Sequence, residues 1–344
     1  MTSKETVKRA LNFENCSRVP RFVWLGSETR RILMKHYGVS SLDLDFKMGN
    51  DILQTWVSIN GEMERDVPQG SQFVDEWGIT WERAGIYNSV VKHPLKDLNV
   101  DEIENYKFPD PFKPERYTEL SELLKTYGNE YFIGADISGT LFEPAYHLRG
   151  MENLMIDMAL ENPEADIILD KIMDFSIKVA IECVKMGVDW IWLGDDLGSQ
   201  QGMMMSPDTW RKYFKGRMAK IISEIRKVAP DMPIAYHSCG SMMPVIGDLI
   251  EVGVNVLNPI QESAAEMNQK EIKDKFGDKL TLMCGPDTQQ FLITATSGEV
   301  RAKTAELVET LGKNGGYIFA VSHHIQPDTP LENIEAIIDE LNNG

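Results

Sequence analysis

From about Phe132 onward, short apolar runs alternate with longer segments of helical pattern, and this alternation narrows the fold more than any other feature of the chain. Short apolar runs separated by amphipathic stretches are the pattern of successive βα units, in which parallel strands are covered by the helices between them. Six strands are read directly: FIGADI (132–137), VDWIWL (188–193), PIAYH (233–237), VNVLN (254–258), LTLMC (280–284) and YIFAV (317–321). RFVWL (21–25) adds one near the start and the segment 51–58 another, which brings the count to eight. Eight parallel βα units close a barrel.

The predicted fold class is therefore α/β: a (β/α)8 TIM barrel, forming a single elaborated domain over residues 1–344, with a two-domain doubly wound protein as the rival. The opening MTSKETVKRALNFEN is amphipathic and reads as an N-terminal helical extension. The segment 73–93 alternates apolar residues around Gly78 and Gly85 and reads as an early β-hairpin insertion in a βα loop. Three prolines within PDPFKP (109–114) mark a linker into the next helix. Helix starts agree with the parse. Ser206-Pro207 and Thr329-Pro330 each place a hydroxyl before a proline, Glu332 would complete a capping box with Thr329, and Thr296 or Ser297 opens a helix from about Glu299 to Leu311.

Composition removes several function classes. At 344 residues the chain can bury a core without staples, and its formal charge of −18, with no basic run, disfavours nucleic acid and anionic lipid as partners. No apolar stretch is long enough to cross a membrane, and the expected location is cytoplasmic. Four scattered cysteines suit a reducing compartment, where a special cysteine is a ligand or a nucleophile; Cys16 and Cys183 receive no role.

The sharpest chemical feature is His237-Ser238-Cys239-Gly240 at the end of the PIAYH strand. Residues two apart in an extended chain share a face, so imidazole and thiol point the same way, toward the rim where barrels bind ligands. That pair suits zinc, which takes nitrogen and thiolate ligands and keeps a position open when catalytic. A packing cysteine beside a hydrogen-bonded histidine is the competing reading. Cys284 closes LTLMC and His323-His324 follow YIFAV, so Cys284, His323 or both could complete a site with His237 and Cys239. Asp195 and Asp196 follow VDWIWL and Glu262 follows NPIQ, at rim positions suited to orienting a ligand or exchanging a proton; a solvated turn is the alternative. Asp136 holds a comparable place, and Asp287 reads equally as a turn or cap residue. Trp24, Trp56 and Trp192 read as barrel filling, His147 as a satisfied helical histidine, and Met203, Met204 and Met205 as core or the wall of an apolar pocket.

Together the motifs Arg18-Val19-Pro20, Asp195-Asp196 with Met205-Ser206-Pro207, His237-Ser238-Cys239-Gly240, Asn258-Pro259-Ile260-Gln261 and the ending Gly315-Gly316-Tyr317, His323 and Pro327 through Ile334 resemble the uroporphyrinogen decarboxylase superfamily, and within it the cobamide-dependent methyltransferases. The resemblance implies a (β/α)8 barrel with its site at the strand C-termini. The decarboxylases of that superfamily carry an arginine-rich stretch after the early R-x-P, where this chain reads Arg21-Phe22-Val23-Trp24-Leu25-Gly26. The methyltransferases bind zinc through a His-x-Cys pair, matched by His237 and Cys239, and a distant cysteine, whose place falls at His323. What the resemblance implies is a zinc enzyme moving a methyl group between a small methylated compound and the cobalt of a separate corrinoid protein. An aryl methyl ether is the favoured donor, on the strength of the methionine run and nearby aromatic residues. The alternatives are methyl transfer from a methylcorrinoid to a thiol or to tetrahydrofolate, a uroporphyrinogen-decarboxylase-like decarboxylase, and a non-enzymatic binding barrel. A homodimer is compatible with the sequence.

Overall fold

The structure, a computed structural model, describes residues 1–63 and 65–343, with the backbone alone at Asn60. Eight parallel strands follow one another around a nearly closed (β/α)8 barrel: β1 (Arg21–Phe22), β2 (Ile52–Trp56), β6 (Phe132–Asp136), β7 (Trp190–Gly194), β8 (Ile234–His237), β9 (Val256–Asn258), β10 (Thr281–Cys284) and β11 (Tyr317–Ala320). The intervening numbers belong to an antiparallel sheet of β3 (Gln72–Val74), β4 (Thr80–Ala84) and β5 (Tyr87–Lys92), inserted after β2 where the sequence predicts hairpins. Its first turn is held by Asp75, whose carboxylate accepts from the backbone N–H of Trp77 and Ile79 and from Trp81 Nε1. Its second turn passes through Gly85 at φ 74°, a conformation that costs a residue with a Cβ more than it costs glycine.

Pleating divides each strand between two cores. Phe22, Ile52, Phe132, Trp190, Trp192, Ala235, Val256, Met283, Ile318 and Ala320 form one buried cluster inside the barrel, and the alternate residues, such as Ile191, Tyr236, Leu282 and Phe319, join the larger cluster under the helices. The interior is strongly aromatic, with Phe132 against Trp190 and Trp190 against Trp192 at ring separations of 5.1 and 5.4 Å. Val7 of the N-terminal helix Ser3–Leu11 joins the interior cluster, so this helix plugs the end of the barrel where the strands begin. The other end carries the loops.

Where β1 meets β2, one backbone bond, from Asp51 N to Arg21 O at 2.9 Å, is supplemented by side chains. Asp51 accepts from Arg21 N at 2.9 Å and from both terminal nitrogens of Arg18, and Asn50 Oδ1 accepts from Val23 N at 2.7 Å. Two of the expected helix caps form: Ser206 accepts from Thr209 N, and Thr296 makes a capping box with Glu299. The third does not. The final helix Leu331–Asn343 begins on the Pro330 carbonyl, which accepts from Asn333 and Ile334, while the Thr329 hydroxyl is buried and caps nothing. No described helix is long and apolar enough to cross a membrane.

Candidate active site

The site grows from the ends of β8 and β11. Along β8, Ala235 faces the interior and Tyr236 the helices, so His237 faces inward; its ring lies against Trp192 and Trp24, with centroids 6.1 and 5.7 Å away. Beyond the strand, each residue of the His237–Gly240 turn is tied down. Ser238 N donates to Asn258 O, Ser238 Oγ accepts from Leu197 N, Cys239 N donates to Asp196 Oδ1 at 2.8 Å, and Gly240 N donates to Gln261 Oε1 at 2.7 Å. Cys239 Sγ then lies 3.5 Å from His237 Nε2. From β11, Ile318 and Ala320 face inward, and the chain continues to His323, whose ring centroid is 6.0 Å from that of His237.

One ligand atom from each of His237, Cys239 and His323 lies within 4.8 Å of the other two. Zinc–nitrogen bonds of about 2.0–2.1 Å and zinc–sulfur bonds of about 2.3 Å at a tetrahedral angle put neighbouring ligand atoms roughly 3.5 Å apart. The His237–Cys239 separation already has that value, and His323 needs only a small inward shift. Chemistry agrees with geometry. Burial, together with His324 and His237, pushes His323 well below its ordinary pKa, which leaves the neutral imidazole that ligates. Burial and then Asp196 push the Cys239 thiol well above its usual value, so an ion must displace its proton on binding. These three residues fit a zinc ion.

Cys284 does not join them. Met283 takes the inward position on β10, so Cys284 faces the helices, fully buried, and burial pushes its thiol far up. Glu262 also lies outside the cavity, paired with Lys303 Nζ at 3.5 Å. The two aspartates separate. Asp195 is buried and accepts from Leu141 N and Glu143 N at 3.0 Å, capping the helix Phe142–Arg149 from across the barrel rim, while burial pushes its pKa up against those donors. Asp196 faces the cavity, with Oδ1 3.7 Å from His237 Nε2. Asp136 lies below, accepting from Gln54 Nε2, Ser138 N and Ser138 Oγ, with burial raising its pKa to about 6.

His237 and His323 line a cavity of about 160 Å3, and Cys239 lies beside it against His237. Trp24, Trp56, Met63 and Tyr87 form its apolar wall, and Glu143 and Asp196 its acidic one. Trp24 and Trp56 thus line the cavity instead of filling the barrel as expected, while Trp192 does fill it. The Met203–Met205 run stands apart: Met203 bridges back to Gly198, Met204 is exposed and Met205 is buried in the outer core. Glu143, Tyr87 and Met63 were missed from the sequence. A glutamate in the first turn of a helix and a tyrosine on an inserted strand carry no local mark of the rim they face. A larger cleft, about 1060 Å3, opens beside Arg18, Lys273 and Gly315 at the end where the strands begin, and no trio of metal-ligating side chains meets there among the described residues.

The family described as uroporphyrinogen decarboxylase (URO-D) matches residues 77–343, more than half of the chain. The chain belongs to the uroporphyrinogen decarboxylase family. Within it, likeness runs to two kinds of enzyme. A uroporphyrinogen decarboxylase of Picrophilus torridus is 24% identical over 272 residues, 75% of this chain and 72% of that one. The methylcobamide:CoM methyltransferase MtaA of Methanosarcina barkeri is 26% identical over 175 residues, 50% of this chain and 48% of that one. A solved methyltransferase from Methanosarcina mazei superposes with a TM-score of 0.74 at 19% identity, covering 100% of this chain and 99% of its own, and so confirms the barrel.

Proposed function

We propose that this member of the uroporphyrinogen decarboxylase family is a zinc-dependent methyltransferase. It takes the methyl group from a small, uncharged methylated donor and passes it to the cobalt of a corrinoid carried by a separate protein. The observation that carries this reading is the meeting of His237, Cys239 and His323, two of which, His237 and His323, line one small cavity.

Size and charge argue against decarboxylation of a porphyrinogen. The cavity, about 160 Å3, compares with an engineered cavity of ~150 Å3 that holds one benzene. A space of that size suits a single ring better than four linked pyrroles. Its described lining residues include Glu143 and Asp196 and neither lysine nor arginine, so a substrate bearing several carboxylates would meet repulsion without a cationic partner. The same charge pattern favours an uncharged donor over an anionic thiol as acceptor.

His237, Cys239 and His323 would hold a zinc ion, which would supply Lewis acidity toward a donor oxygen. Two neutral imidazoles and one thiolate leave such an ion with net positive charge, which suits easing the departure of an oxygen more than sharpening a thiolate. Asp196, beside His237, is placed to exchange a proton with that oxygen. Asp195 positions the helix that brings Glu143 to the wall. Trp24, Trp56, Tyr87 and Met63 exclude water and hold an apolar body, for which a one-ring aryl methyl ether is the donor that fits best. A thiolate ligand and a corrinoid partner are consistent with a reducing cytoplasm.

The test is metal analysis of the purified protein, followed by incubation of methoxyarenes with reduced corrinoid protein while cobalt methylation and phenol release are monitored. One zinc per chain and methylation abolished by chelation are expected. Protein without stoichiometric metal that decarboxylates uroporphyrinogen despite strong chelators would overturn the reading.

A further inference from the structure

The segment Asn258-Pro259-Ile260-Gln261 has no part in the chemistry above, yet two of its side chains reach the loop that carries His237 and Cys239. Asn258 closes β9 at an inward position and is buried. Its Oδ1 lies 2.8 Å from His237 Nδ1, and its Nδ2 donates to the Met283 carbonyl at 3.0 Å. The second contact decides the first. A carbonyl oxygen only accepts, so the amide must turn its NH2 toward Met283 and its oxygen toward the imidazole. An acceptor at Nδ1 selects the tautomer with the proton on Nδ1, which frees the lone pair on Nε2. Nε2 is the atom 3.5 Å from Cys239 Sγ.

Gln261, also buried, acts on the backbone of the same turn through Gly240 N. Gly240 has φ 76°, and a Cβ there would come within 2.4 Å of Gly198 C, so the turn has one way to pack. Resting on the metal-site reading above, we propose that Asn258 is a positioning residue that sets the tautomer and aim of His237 for metal capture, while Gln261 holds the turn that presents Cys239.

The experiment is titration of metal-free protein with Co2+, read by its ligand-field and thiolate charge-transfer absorption and by competition with a chelator. Wild type should take one Co2+ per chain. Asn258→Leu should bind 10- to 100-fold more weakly, the usual cost of losing the hydrogen-bond partner of a ligating histidine, with altered ligand-field bands. Asn258→Asp keeps an acceptor against Nδ1 and should recover most of the affinity. Asn258→Ser, which removes the contact without adding bulk, replaces the leucine variant if that one does not fold, and melting of the metal-free proteins separates misfolding from lost aim. Equal Co2+ affinity in wild type and a folded leucine or serine variant overturns the proposal, as does failure of the aspartate to restore binding. Wild type that binds no Co2+ overturns the metal reading instead.

Discussion

β8 and β10 each run into a cysteine at the same rim of the barrel, and the two sulfur atoms face opposite ways. Cys239 stands two residues beyond inward-facing His237, with its backbone N–H held by Asp196 and its sulfur beside His237 Nε2. Cys284 is the last residue of β10, one beyond inward-facing Met283, and is sealed under the helices. Nearness to a strand end is therefore not enough to make a ligand. The pleat turns Cys284 under the helices, whereas beyond the end of β8 the hydrogen-bonded turn decides where Cys239 goes, and so the two cysteines separate although their strands flank the same neighbour, β9.

The strongest way to break this contrast is to exchange each cysteine. Cys239→Ala should lose bound metal, with affinity down at least ~1000-fold, about 4 kcal/mol, because it removes the only thiolate of the trio. His237→Ala and His323→Ala should follow, and metal content by mass spectrometry or atomic absorption checks all three. Cys284→Ala should retain a full complement. Metal lost from the Cys284 variant and kept by the Cys239 variant would reverse the assignment.

How far the sequence could be read follows from the same pleat. The eight strands were legible because a strand covered on both faces is a short apolar run, and all eight runs hold strands. His237 and Cys239 were legible as a close pair at a strand end, although β8 stops at His237 and it is the turn held by Asp196 and Gln261 that brings Cys239 to it. The choice between Cys284 and His323 was not, since it depends on where each strand stops and how the chain continues past it. Trp24 and Trp56 occupy inward positions that read alike whether a tryptophan fills the barrel or walls a cavity. Glu143 and Tyr87 reach the cavity through a capped helix and an inserted sheet, whose placement is tertiary.

The adjacent aspartates sharpen the contrast between structural and chemical carboxylates. Asp195→Ala leaves Leu141 N and Glu143 N buried without an acceptor and should cost about 3 kcal/mol in denaturant unfolding, with Glu143 displaced from the wall. Asp196→Asn, at a partly exposed position, should change stability by less than ~1 kcal/mol while impairing turnover. Equal unfolding free energies for the two variants would remove the distinction.

Histidines divide in the same way, and here pH is the probe. His147 sits on the helix Phe142–Arg149, buried edge-on against Trp81, and burial followed by the charge of His93 lowers its pKa to about 3. The unfolded chain takes up this proton near pH 6.5 and the folded one does not, so the stabilising contribution is whole above about pH 6.5 and is lost progressively as pH falls toward 3. Between about pH 6.5 and 5 the loss amounts to ~2 kcal/mol. His147→Phe should flatten the unfolding free energy across that interval, and an unchanged slope would mean that the folded protein also protonates there.

The smallest effect belongs to Cys284 itself. Its thiol fills a fully buried place in the outer core, and its removal leaves a gap about the size of one sulfur atom. Cys284→Ala should therefore lower the unfolding free energy of the metal-free protein by about 1 kcal/mol. Cys284→Val tests the same point from the other side, since an apolar side chain tolerated there shows that the site asks for volume and not for sulfur. Cys239→Val should abolish metal binding, because the role proposed for that position is a charge on sulfur. Metal affinity that falls with Cys284→Val while stability holds would return Cys284 to the ligand set.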